Sequence, residues 1–157
     1  VNKGRLTLRD ENGAVQVSLS IDANGDGVLA GDLKPFVMDH PTQQEKEIWY
    51  CAMEGPEAAA YERGTATLVN GEAEITFSDH FEIVANPTTM TITTSPWSAE
   101  SKGLAVIERT ATGFKVKELF GGTGNYQFDW RVDAKRKGHE DFQVIRDKKD
   151  SPFYIEE

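Results

Sequence analysis

A single cysteine in 157 residues leaves no disulfide framework within the chain, so the fold must be held by its own core. That residue, Cys51, sits in an apolar strand pattern with Ile48 and Tyr50, where a buried thiol acting as a small hydrophobe is expected. No run of about eighteen apolar residues occurs, and no positively charged start leads into an apolar stretch. Neither a transmembrane helix nor a signal peptide is therefore read here, and membrane insertion is not expected. The chain opens at Val1 rather than Met, so a soluble piece of a longer protein or a processed form is expected. Histidine is scarce too. His40, His80 and His139 each stand alone, and neither a G-x-S-x-G nor an H-E-x-x-H spacing is present. An enzyme is not expected, and no catalytic, cofactor-binding or metal-ligating residue is assigned.

Net positive charge is also lacking: the formal net charge is -9. Residues 42 to 110 carry eleven acids against four bases, while residues 111 to 157 carry nine of each. An acidic middle of this kind repels phosphates, so no nucleic-acid partner is expected. The one basic cluster, Lys135-Arg136-Lys137, reads as a solvated turn.

What the sequence does contain is a change of register near residue 35. Before it, short alternating runs (Leu6, Leu8; Val15, Val17, Leu19, Ile21; Val28, Leu29, Leu33) are punctuated by Asn-Gly and Asp-Gly turns. About thirty residues of this kind bury too little apolar area to offset roughly 1–2 kcal/mol of backbone entropy per ordered residue. Identical neighbours would supply the missing core, which points to a trimeric fibre stem. The other reading is that these strands pair with the main domain as a hairpin and a third strand.

From residue 36 the pattern is all-β. Strands are predicted at Ile48–Met53, Thr65–Val69, Ala73–Phe77, Phe81–Val84, Met90–Thr94, Leu104–Glu108, Phe114–Leu119, Tyr126–Val132 and Phe142–Ile145, with an Asn70-Gly71 turn. Tyr126, Phe128, Trp130 and Val132 alternate strictly with Gln127, Asp129, Arg131 and Asp133, so one face of that strand is core and the other wet. The threonines at 89, 91 and 93 mark another exposed sheet face, and two such layers make a sandwich. The expected organisation is a β-rich stem over 1–35, an antiparallel β-sandwich-like head over 36–146 and a charged tail over 147–157.

Four motifs carry candidate chemistry. Asp22, Asn24, Asp26 and Gly27 match the first half of a calcium loop, but its last position is Leu33 and Asp32 falls one place early, so tight-turn residues are the favoured reading. Gly121-Gly122-Thr123-Gly124 is followed by a strand rather than a helix and reads as a turn, not a phosphate cradle. Met53-Glu54-Gly55-Pro56-Glu57 reads as a turn forced by Gly-Pro, in which Glu54 and Glu57 can form salt bridges or cap the turn, or as a plain solvated connection. Trp97, in the polar stretch Ser95-Pro96-Trp97-Ser98, is a ring with little core to reach, available to stack on a sugar or pack on a neighbour.

The order of KPFVMDHP (34–41), MEGPE, Tyr61-Glu62-Arg63-Gly64-Thr65-Ala66, Gly71-Glu72-Ala73-Glu74-Ile75 and the ending GGTGNYQFDWRVDAKRKGHE resembles a C-terminal domain of phage tail-fibre-like proteins. The resemblance covers residues 5 to 145 and departs in the threonine-rich middle, 86 to 102. It implies a homotrimeric fibre tip of a virion or of an extracellular phage-like contractile injection particle, without catalytic residues. The partner it implies is a receptor on a target cell surface, such as a glycan. The second expectation is a calcium-dependent carbohydrate-binding module of a secreted or surface protein.

Overall fold

The computed structural model describes residues 4–22 and 25–150. The chain divides into two compact units, the first running to Glu54 and resuming at Gln143, the second spanning Gly55–Phe142. The sequence reading places the boundary at residue 36. The difference is the hairpin of β4 (Pro35–Asp39) and β5 (Glu47–Cys51), whose strands pair with each other alone among the described residues and group with the first unit.

The first unit also holds an antiparallel meander of β1 (Arg5–Arg9), β2 (Val15–Ile21) and β3 (Gly27–Gly31). The Asn12-Gly13 turn closes β1 onto β2: Gly13 takes a positive φ of 82°, and the Asp10 carboxylate accepts the amides of Asn12 and Ala14. Register decides the faces. Leu6 lies opposite Leu19, Leu19 opposite Leu29, and Leu8 opposite Val17, so the leucines of three strands share one side, with Val17 and Ile21. That side is open, with Leu6 60% and Leu29 52% exposed.

The second unit is an antiparallel β-sandwich-like body. One sheet has the order β6 (Ala59–Thr67), β11 (Gln127–Lys135), β8 (Thr91–Pro96); the other has β7 (Glu72–Thr76), β10 (Gly113–Glu118), β9 (Leu104–Arg109). The predicted alternation of β11 is observed: Phe128, Trp130, Val132 and Ala134 are buried while their neighbours face outward. Trp130 meets Phe114 of the other sheet edge-on at 5.6 Å, and Phe77 lies 5.8 Å from Phe114 and 6.1 Å from Trp130. The outer face of the second sheet carries cross-strand ion pairs instead, Lys117 with Glu72 at 2.7 Å and Lys115 with Glu108 at 2.8 Å.

Three expectations are corrected. Phe81–Val84 is not a strand but part of helix α1 (Asp79–Val84), which buries Phe81 and, one turn on, Ala85, leaving Ile83 and Val84 outside. Six residues cannot sustain a helix in water alone. Here the Glu62 carboxylate of β6 accepts the amide and hydroxyl of Ser78 at the helix start, tying it to the sheet. Phe142–Ile145 forms no strand, and its apolar side chains are exposed. Cys51 is exposed rather than buried; it lies at the end of β5, in a hairpin whose two strands pair with no other strand of the described residues.

Candidate functional site

The outer face of β11 builds a polar trough. Because cross-strand partners share a face, the register sets three rows: Thr65–Asp129–Ser95, Arg63–Arg131–Thr93 and Tyr61–Asp133–Thr91. The short side chains at 65, 93 and 95 leave a cleft of about 550 Å³, lined by Arg63, Thr65, Thr93, Ser95, Asp129 and Arg131. Beneath it, Gly64 lets the Trp130 indole lie flat against β6, since a Cβ there would sit 2.8 Å from the ring.

Each half of the trough is fixed by internal bonds. Asp129 accepts the Thr65 hydroxyl at 2.6 Å and the Trp97 indole N–H at 2.9 Å. These two hydrogen bonds, the Thr65 one foremost, and then the Arg63 charge hold the Asp129 carboxyl below its usual range. Trp97 is thus pinned while 59% exposed, a ring presented rather than packed. On the other side, the Arg131 guanidinium lies 4.5 Å over the Tyr61 ring and forms a forked pair with Asp133 at 2.7–3.1 Å. The arrangement offers hydroxyls, one fixed carboxylate, guanidinium groups and an exposed indole. That set suits recognition of a polar ligand with apolar ring faces.

The remaining sequence candidates fall elsewhere. The Gly121–Gly124 stretch is a turn that cradles the protein's own acid: buried Glu118 accepts the Gly124 amide at 2.8 Å, the Lys102 amide at 3.1 Å and the Tyr126 hydroxyl at 2.7 Å. A Cβ on Gly122 would stand 2.2 Å from that carboxylate. Next to it, Phe120 takes a positive φ of 53° and is 87% exposed. Asp22 accepts the Asp26 amide at 3.0 Å, and Asp22 pairs with Arg146 at 3.6 Å; Asn24 lies outside the described residues. Among the described residues, no group of three or more His, Cys, Asp or Glu is placed to hold a metal. Glu54 pairs with Lys34 and Glu57 with Lys135, while Lys137 donates to the Glu82 carbonyl, so both polar connections serve structure. His80 contacts the Ser78 hydroxyl at 3.2 Å, but that Oγ lies 3.0 Å from Glu62, to which it donates; His40 belongs to the first unit and His139 follows β11. No helix of the described residues is long and apolar enough to cross a membrane.

Hydrogen bonding, from Tyr126 first and then the two amides, lowers the Glu118 pKa from its usual 4.5. A lowered carboxyl supplies stability that is complete above the unfolded-state value and is lost as pH falls through the folded one. As pH falls below the usual carboxylate value of 4.5, the melting temperature of the wild type is therefore expected to fall more steeply than that of Glu118→Gln, which starts lower. Parallel slopes in a calorimetric pH series would show that this carboxylate does not carry the acid sensitivity.

Neither a protein-family model nor a curated protein matches the chain.

Proposed function

We propose that this chain is the receptor-binding tip of a fibre from a phage or a phage-like contractile injection system, with its first unit trimerising and its second reading a cell-surface glycan. The observation that carries the reading is the contrast between the units. The second closes a core over Phe114, Phe128 and Val132, whereas the first leaves Leu6, Leu8, Leu19, Ile21 and Leu29 open on one sheet face. Exposed apolar surface of that continuity marks a contact between chains. Covering it with two further copies gives each strand set the core it lacks, in the closed symmetry that homo-oligomers favour. The trough beside Trp97 then supplies the recognising surface.

Light scattering on the purified chain is expected to give three times the chain mass. Leu19→Asp, at the centre of the leucine rows, is expected to give the monomer while the tryptophan signal of the second unit persists, since a charge buried without a partner is strongly disfavoured. A wild-type monomer would sink the fibre reading. It would leave the carbohydrate-binding module, which the trough supports by itself, as the better account.

A further inference from the structure

We infer that the trough selects acidic sugars, with a sugar carboxylate seated on Arg63; this rests on the glycan-reading function proposed above. The observation is the direct pairing of two arginines. Arg63 and Arg131 are register partners on adjacent strands, and like charges directly opposite each other destabilise a sheet. Arg131 is relieved by its forked pair with Asp133 and by the Tyr61 ring beneath it. Arg63 has neither a direct ion pair nor a ring beneath it, only the through-space attraction of Asp129. No carboxylate of the described residues lies within ion-pair distance of it, and the nearest acid in the register, Asp129, already has one oxygen bonded to Thr65 and the other to Trp97. The groups around Arg63 in the cleft are thus, on the neighbouring strand β11, the Asp129 carboxylate held by Thr65 and Trp97 and the Arg131 guanidinium paired with Asp133, and, one strand further on β8, the hydroxyls of Thr93 and Ser95.

An unpaired guanidinium in a polar cleft matches a planar carboxylate through two parallel N–H bonds. The hydroxyls beside it match ring hydroxyls, and the pinned indole of Trp97 offers an apolar plate to a sugar face. A cleft of about 550 Å³ falls within the range of small-ligand sites. A polyanion such as nucleic acid would meet the acidic surface of a chain of net charge -9, whereas one carboxylate meets only the local field.

The test is an NMR titration of the whole chain, following the Arg63 Nε–H and Trp97 indole N–H signals with glucuronate and glucose, which differ only at the C6 carboxylate. Inorganic phosphate and acetate are titrated alongside. Glucuronate is expected to move both signals and to bind about tenfold more tightly than glucose, the worth of one charge-assisted pair. Arg63→Gln is expected to abolish that preference with little change in the melting temperature, since it removes both the like-charge contact with Arg131 and the through-space attraction to Asp129. Equal binding of the two sugars, unchanged by Arg63→Gln, would overturn the acid selectivity and leave the glycan reading standing. Silence toward both sugars would overturn both. Phosphate or acetate matching glucuronate would reduce the feature to a simple anion site and overturn the assignment to a sugar acid.

Discussion

Trp130→Ala is expected to lower the unfolding free energy of the second unit by about 3–5 kcal/mol, the cost of emptying a large aromatic site. Against a total of about 5–15 kcal/mol for a domain, that is a large share. The indole is 8% exposed, stands edge-on to Phe114, and fills the space Gly64 leaves open on β6. The surrounding strands cannot collapse onto the void without losing the β6–β11 ladder. Gln127→Ala, on the outward face of the same strand, is expected to cost under about 0.5 kcal/mol. Denaturant titrations of the two variants decide the register: equal losses would mean that the alternation of β11 has been read from the wrong side.

Gly113→Ala is expected to be at least as damaging, at about 3 kcal/mol or more, beyond the usual overpacking penalty. A Cβ at that position would stand 2.0 Å from the Ile75 carbonyl oxygen of β7. No rotamer relieves that contact, because the obstacle is backbone; the strands must part at the start of β10. Gly55→Ala is the control, with nothing within 4 Å of the added carbon, and is expected to stay within about 0.5 kcal/mol. Similar stabilities for the two variants would show that β7 and β10 do not approach so closely.

The parts of the fold that are legible in the sequence are those written in local chemistry. Strict alternation from Gln127 to Asp133 exposes β11, and the Asn70-Gly71 turn, with positive φ at both residues, follows from the two side chains that best tolerate it. Helix α1 is not legible as such. Phe81–Val84 is a short apolar run that suits a strand equally well, and the choice is made by Glu62, sixteen residues upstream of Ser78. Cys51 misleads for the opposite reason: its strand pattern is apolar, but burial depends on a covering layer, which pattern alone does not reveal. At the candidate site, Trp97 can be suspected from its polar surroundings. Arg63, Asp129 and Arg131 cannot, since they become neighbours only through a register that joins positions 63 and 131.

The first strand of the second unit begins beside the point where its last strand finishes. Ala59 pairs with Lys135 where β6 begins and β11 finishes, and the Arg136 amide donates to the Ala58 carbonyl at 2.8 Å. A body whose entry and exit are adjacent behaves as a cassette: it can be lifted from one host chain and grafted into another without stretching either. Exchange of the whole segment from Gly55 to Phe142 would replace the polar trough in a single recombination event and leave the leucine face untouched. The cleft and the apolar face can then be inherited separately.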